Sequence, residues 1–221
     1  MLLDGGAWMR AQVIVVTGGI ASGKSTVSKA MAGKDGVWID CDVIAHEVLN
    51  KSDAIARIVR VFGKRVLTPQ RRISRKKLGR IVFSDRRELE KLNGLIKPFL
   101  KRRITDEVMS VRSSSAYIVL DAVLFFQYKF RFKVDGVVWT TAPFEVRLER
   151  LMRRDGISRD EAAARIVLQE NLVDDWKRAD YIINTDRPID RVERDAVRVR
   201  DEILSRSLHS RKRKITNGRR W

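Results

Sequence analysis

A single cysteine, Cys41, stands in the 221 residues. No intramolecular disulfide and no cysteine-built zinc site can form, and a reducing cytoplasm is the expected setting. Long apolar runs are missing too. The longest nearly uncharged one, Ala116 to Phe126, is interrupted by Asp121 and is too short to span a bilayer. No arginine-then-apolar signal sequence opens the chain, so a membrane is not an expected partner. Internal repeats and low-complexity tracts are absent. Acids are in short supply: 28 Asp and Glu face 46 Lys and Arg, a net charge of +18. Such an excess suits phosphate-rich substrates, which positive fields steer, or nucleic acid. The basic residues are scattered along the whole chain, and many alternate with acids on expected helices. Most of the excess therefore reads as a diffusely basic surface, and nucleic acid is not an expected partner. The 44% hydrophobic content and the length fit one compact α/β domain, with room for a small insertion.

What is present is an anion-binding signature. Residues 18–25, Gly-Gly-Ile-Ala-Ser-Gly-Lys-Ser, match G-x-x-x-x-G-K-[ST] between the apolar run Val13–Val16 and a helix-compatible segment, Val27 to Ala32. Strand before and helix after is the context that gives this pattern meaning. The glycines let the backbone curl so that consecutive N–H groups point into one concavity, and the helix adds the positive end of its dipole. The expected nucleotide site is Gly18, Gly19, Ala21, Ser22, Gly23, Lys24, Ser25 and Thr26. Lys24 should reach the terminal phosphates, and the Ser25 hydroxyl should take a place on Mg²⁺.

Val13–Thr17 reads as a strand buried on both faces, Gly33 ends the first helix, and Val37–Asp40 reads as a second strand. Strand, helix and strand at this spacing form a βαβ unit, so the sheet should be parallel with right-handed crossovers. From Asp42 to about Arg112 the chain is helical and basic. Ile44, Val48 and Leu49 share a face, as do Leu78, Ile81 and Val82, and then Leu89, Leu92, Leu95 and Ile96. So long an insertion exceeds what a crossover needs and should form a helical subdomain that holds a second substrate. Tyr117–Asp121 is the next strand, followed by Val123–Phe126, which is expected to be buried. Gly136–Thr140 follows, then a helix with Pro143 in its first turn that runs to about Arg154. A capping box, Ser158 to Glu161, opens a helix through Leu168. Tyr181–Asn184 is a last strand, and Ile189 to about Ser207 a last helix. Residues 1–10 are expected as a disordered extension, with Met9 a natural alternative start, and residues 209–221 as a basic mobile tail.

Asp40 and Asp42 follow the second strand directly, at the carboxyl edge where open α/β sheets bind ligands. A kinase needs a carboxylate to orient the acceptor hydroxyl and take its proton, and another to hold water around Mg²⁺. Two acids at i and i+2 can divide those tasks, with Asp42 the catalytic one and Asp40 on the metal side; alternatively one is the N-cap of a helix starting at Val43. Asp121, at the end of an apolar strand, suits a Walker-B acid that holds Mg²⁺ through water, or an acid that binds local backbone N–H groups. Arg147, Arg150 and Arg154 fall near one helical face, with Arg153 beside them and Arg165 on the next helix. An arginine lid that closes over ATP stabilises charge and excludes water; ion pairs with Glu145 and Glu149 are the competing reading.

Taken together, residues 12–207 resemble the dephospho-CoA kinase family. Residues 17–26, Thr-Gly-Gly-Ile-Ala-Ser-Gly-Lys-Ser-Thr, are similar to its phosphate loop, and residues 39–45, Ile-Asp-Cys-Asp-Val-Ile-Ala, to its Asp-x-Asp segment. Residues 73–78 and 81–85 resemble its helical substrate region. Arg150, Arg154 and Gln169 match its lid, and residues 177–184 its final strand, near the adenine of ATP. The resemblance implies an α/β, three-layer P-loop kinase core with a five-stranded parallel sheet, a helical acceptor-substrate subdomain and a lid. One kinase domain, 11–208, would comprise a core (11–42 and 113–208), an insertion (about 43–112) and a lid (about 147–170). It implies transfer of the ATP γ-phosphate, with Mg²⁺, to the ribose 3′-hydroxyl of dephospho-CoA. Asp42 would be the base, with Lys24 and Arg150 also catalytic. Arg150, Arg154 and Asn184 would bind the nucleotide; Thr17, Asp40, Asp42, Arg75 and Lys97 would bind the acceptor. Three positions depart from the family pattern: Lys97 stands where it usually has His, Val123 where it has Pro, and Gln127 where it has Glu. Another kinase of this architecture with an altered acceptor pocket, or a non-catalytic nucleotide-binding paralogue, are the alternatives.

Overall fold

The computed structural model describes residues 11–170 and 176–217. Its centre is β1 (Gln12–Gly18), buried at every position. Val13 and Val15 face one core while Ile14 and Val16 face another, which is why the run is apolar throughout. Next come α1 (Lys24–Ala32) and β2 (Gly36–Asp40). The remaining strands are β3 (Tyr117–Asp121), β4 (Gly136–Thr141) and β5 (Tyr181–Asn184), in the order β2-β3-β1-β4-β5, and every pairing is parallel.

The insertion is helical, as the periodicity predicts. It holds α2 (Cys41–Leu49), α3 (Ser52–Phe62), a 3-10 turn at Lys64–Val66, α4 (Arg75–Val82) and the long α5 (Arg86–Val111), which runs through Pro98. Along α5, Leu89, Leu92, Ile96, Leu100, Ile104 and Val108 recur at helical spacing and are all buried. They join Ile44, Val48, Ile58, Phe62, Leu78 and Val82 in one core with Val13, Val15, Ile118 and Leu120 of the sheet. Leu49, Ile81 and Leu95 sit half-buried at its margin.

Between β3 and β4 lies a single helical turn, α6 (Phe125–Tyr128). The expectation that Val123–Phe126 is buried needs correction, because these residues are half-buried. They leave the sheet at its carboxyl edge, where Phe125, Phe126, Tyr128, Phe130 and Phe132 contact one another as a wall of rings. After β4, α7 (Phe144–Asp155) and α8 (Arg159–Glu170) form a hairpin. Half of the capping box forms, with Glu161 N–H donating to Ser158 Oγ at 3.2 Å, while the Glu161 carboxylate pairs with Arg165 at 2.7 Å. The hairpin has a core of its own in Leu148, Leu151, Ala162 and Ile166, against which Ile20 and Ala21 pack.

The last helix, α9 (Ile189–Asn217), lies with α1 on the second face of the sheet and completes three layers. It continues past the end expected near Ser207. The expected extension at residues 1–10 and the last four residues, 218–221, lie outside the described residues. Among the described residues no helix is long and apolar enough to cross a membrane.

Candidate active site

The phosphate loop folds as its glycines require. Gly18 (φ 144°) and Gly23 (φ 84°) take conformations that side chains resist, and Ala21 joins them in the left-handed region at φ 57°. A Cβ on Gly18 would lie 2.4 Å from the Thr140 carbonyl oxygen. Ser22 N–H closes the turn onto Gly19 O at 3.3 Å, and Ser22 Oγ is buried against Thr140 Oγ1 at 2.7 Å. Ser22 thus builds the cradle with its side chain, and apart from the Ile20 N–H, which Gln169 accepts, the loop's remaining N–H groups are left to face an anion.

Lys24 opens α1 and folds back so that Nζ donates to Gly19 O at 3.0 Å. It is only 8% exposed. Burial lowers its pKa; the charges of Asp121 and Asp42 push it back up, while Arg154 and Arg147 push it down. Charged side chains from three elements, Asp121 of β3, Asp42 of α2, and Arg147 and Arg154 of α7, therefore act on one ammonium. The next residue, Ser25, donates its hydroxyl to Asp121 Oδ2 at 3.0 Å. Strand register puts Asp121 level with Val16 on one side and Asp40 on the other. Asp121 is 5% exposed, and burial lifts its pKa to about 6 against the pull of Lys24 and the Ser25 hydroxyl.

Of the two acids after β2, Asp40 is the helix cap. Its Oδ1 accepts from Asp42 N at 2.8 Å and from Val43 N at 3.3 Å, and α2 begins at Cys41, earlier than the expected Val43. That cap fixes the first turn of α2 and leaves the Asp42 side chain exposed, within electrostatic reach of Lys24, Asp121 and Arg154. One turn further along α2 is His46, which the sequence reading passed over. Burial, and then the charge of Arg75, lower its pKa, while Asp42 and Asp40 raise it. Its i+4 spacing from Asp42 was the signal that would have found it.

The arginines separate. Successive residues turn about 100° along a helix, so Arg154 lies about 20° from Arg147 and Arg150 about 60° from it. Arg147 is buried beneath the phosphate loop, where Nε donates to Ile20 O at 3.0 Å and Nη1 pairs with Glu170. It is not a solvent-side lid residue. Arg150 turns towards β5, donating to Thr185 Oγ1 at 2.9 Å and Thr185 O at 2.8 Å, and is not among the charges acting on Lys24. Arg154 lies within electrostatic reach of Lys24 and Asp42 while paired with Asp155. Glu145 pairs with Arg159 across the hairpin, away from this face. Arg165 bonds Asp155 at 3.1 Å and lies over the Phe83 ring at 4.8 Å, so the hairpin meets the insertion across the cleft. Arg75 adds a positive charge there, acting on both His46 and Asp155.

Three further residues expected at the acceptor or nucleotide are placed by the fold itself. Thr17 is fully buried, and its hydroxyl donates to the Val123 carbonyl at 3.1 Å, which ties β1 to the loop after β3. Asn184 accepts from Asp186 N at 2.9 Å, in a turn beside Thr185, whose hydroxyl donates to Ser22 O at 2.9 Å. Lys97 is exposed on α5, and no hydrogen bond or ion pair ties it to the other site residues. Gln169, matched to the lid from the sequence, accepts with Oε1 from Ile20 N, in contact with the phosphate loop.

The Dephospho-CoA kinase family model matches residues 12–191. A dephospho-CoA kinase of Carboxydothermus hydrogenoformans is 41% identical over 180 residues, covering 80% of this chain and 87% of its own length. Among solved structures, TT1252 from Thermus thermophilus superposes with a TM-score of 0.68 at 28% identity, covering 88% of this chain and 98% of that one. A dephospho-CoA kinase from Campylobacter jejuni gives a TM-score of 0.55 at 26% identity, covering 87% of this chain and 97% of that one.

Proposed function

The chain belongs to the dephospho-CoA kinase family, and we propose that its residues divide the family's reaction as follows. The protein transfers the γ-phosphoryl group of ATP to the ribose 3′-hydroxyl of dephospho-CoA, giving coenzyme A and ADP. Phosphoryl transfer asks little covalent chemistry of a protein and much positioning and charge stabilisation. The observation that carries the assignment is the phosphate loop, with the buried Lys24 folded onto Gly19 and Ser25 bonded to Asp121, beside an Asp42 left exposed by the Asp40 cap at the same carboxyl edge of the sheet.

The phosphate-loop N–H groups other than those of Ile20 and Ser22, with the N-terminus of α1, bind the phosphates of ATP. Lys24 leaves the Gly19 carbonyl to meet charge on the transferred group, with Arg154 supporting it from α7. Asp42, exposed on the first turn of α2, orients the acceptor hydroxyl and receives its proton. Asp40 holds Asp42 in place through the α2 cap. The insertion supplies the acceptor side, where Arg75 brings positive charge for an acidic substrate beside His46, and Lys97 adds another on the exposed face of α5. Arg150, Thr185 and Asn184 border the base of the nucleotide.

Ser25 Oγ and the buried Asp121 carboxylate are hard oxygen donors beside Lys24, and they fit Mg²⁺. Among the described residues no three His, Cys, Asp or Glu side chains cluster to cage a metal. That suits an ion held by Ser25, by Asp121 through water, and by substrate phosphates. When bound, Mg²⁺ neutralises charge on the phosphate oxygens. With its one cysteine, the enzyme belongs in a reducing cytoplasm.

A coupled assay that detects ADP, with ATP, Mg²⁺ and dephospho-CoA, tests the reading. Turnover with dephospho-CoA and none with adenosine or shikimate is expected. Tight ATP binding without turnover of dephospho-CoA would contradict it.

A further inference from the structure

Arg147 touches the phosphate loop at Gly19 and Ile20, and one of its atoms has no hydrogen-bond partner. The side chain is 10% exposed. Nε donates to Ile20 O and Nη1 pairs with Glu170, while Nη2 is buried without a hydrogen bond. Nη2 lies where a Cβ on Gly19 would be 2.6 Å away, so the guanidinium occupies the space that any side chain at position 19 would need. From α8, Gln169 Oε1 accepts the N–H of the same Ile20. Both backbone groups of Ile20 are therefore held by side chains of the α7–α8 hairpin, and its apolar side chain packs in the hairpin's core. The residues on either side explain why a grip is needed there. Gly19 O is the acceptor for both Lys24 Nζ and Ser22 N, and Ala21 stands in the left-handed region that costs a residue with a Cβ.

We propose that Arg147, with Glu170 and Gln169, is a clamp that fastens the lid hairpin to the tip of the phosphate loop and holds Gly19–Ala21 in the nucleotide-binding shape. Arg147 is a positioning residue and acts through Ile20. A planar guanidinium is suited to the task, since one fork reaches the Ile20 carbonyl, meets Glu170 and lies beside a glycine that leaves room for it. Gly19 thereby acquires a second reason to lack a side chain, besides the turn. The clamp also makes the hairpin something other than a freely swinging flap, because movement of α7 or α8 pulls on the peptide next to the carbonyl that holds Lys24. Nucleotide affinity, rather than the acceptor step, is where its loss should be felt.

The inference rests on the reading of this loop as an ATP site but not on the identity of the acceptor, so it is tested by ATP binding alone. Calorimetric titration of the full chain with ATP and Mg²⁺ is carried out for wild type, Arg147→Ala, Arg147→Lys and Glu170→Gln, each checked for a cooperative thermal transition. Losing charge-assisted bonds to a backbone carbonyl predicts a Kd for ATP raised roughly tenfold or more in Arg147→Ala. Arg147→Lys keeps the charge but not the fork, and should bind ATP nearly as weakly as Arg147→Ala. Glu170→Gln, which leaves the Nε bond intact, should lose less and covers the case in which the alanine variant does not fold. In steady state, KM for ATP should rise while KM for dephospho-CoA stays within about twofold. A lower Tm with unchanged Kd would reduce Arg147 to packing and overturn the proposal. Wild-type affinity in Arg147→Lys would overturn it as well, since charge alone would then suffice. Absence of ATP binding in the wild type would instead refute the nucleotide site itself.

Discussion

The buried carboxylate of Asp121 should leave a measurable mark on the pH dependence of folding. Burial is the largest cause of its raised pKa, Lys24 and the Ser25 hydroxyl oppose it, and Asp42 and Asp40 add to it, leaving the group at about 6 against an ordinary 3.8. Between those values the folded chain holds a proton that the unfolded chain has released. The associated stability is fully present below the unfolded pKa, is lost as pH rises through the folded one, and is level above it. A gap of about two pKa units at ~1.36 kcal/mol each gives a loss of about 3 kcal/mol. Asp121→Asn keeps an acceptor for Ser25 and removes the titration. It also removes the largest charge supporting Lys24, so absolute stability changes in two opposing directions, whereas the pH dependence isolates the carboxylate. Urea unfolding of both proteins in magnesium-free buffer from pH 4 to 8 is the assay. Because part of the change lies below pH 4, the stability of the variant relative to wild type should rise by roughly 2 kcal/mol between pH 4 and 7 and then stay nearly flat. Parallel curves for the two proteins would show that Asp121 does not titrate abnormally and would refute the reasoning.

Lys24→Ala removes the ammonium that meets charge on the transferred group, and steady-state assays should show kcat reduced roughly a thousandfold. A reduction under about tenfold would place the charge stabilisation elsewhere. Gly36→Ala tests the packing beneath the site: the new Cβ would lie 2.3 Å from the Tyr117 ring and 2.8 Å from the Ala32 carbonyl oxygen. Tyr117 cannot yield, since its hydroxyl donates to Ala32 O at 2.9 Å. Calorimetry should show a loss of about 1–3 kcal/mol, at roughly 2–4 °C in Tm per kcal/mol.

The features set by local chemistry were legible in the sequence. The phosphate loop could be read because glycine at 18 and 23 and a lysine and a serine after them answer to backbone geometry, and the structure shows those positive φ angles. β1 and β3 announced themselves by unbroken apolar runs, and the insertion by helical spacing. Asp40 and Asp42 were placed at the correct edge, but which of them caps α2 depends on where the helix starts, and that shifted to Cys41. Tertiary direction was not legible. Helical spacing put Arg147, Arg150 and Arg154 near one face, yet small angular offsets and two turns of rise send the first under the loop, the second to Thr185 and the third to the Lys24 cluster. The bond by which Thr17 ties β1 to the loop after β3 was no more legible. The rings after β3 read as core because apolar pattern alone does not reveal that a chain is leaving the sheet.

The central claim is that Asp42 serves the acceptor and not the nucleotide, and a single variant separates the two. For Asp42→Asn, the Kd for ATP and kcat with dephospho-CoA are measured on the same preparation. The account predicts ATP affinity within about twofold of wild type and a kcat lower by at least roughly a hundredfold, the lower end of a general-base contribution. Wild-type turnover in Asp42→Asn would contradict it.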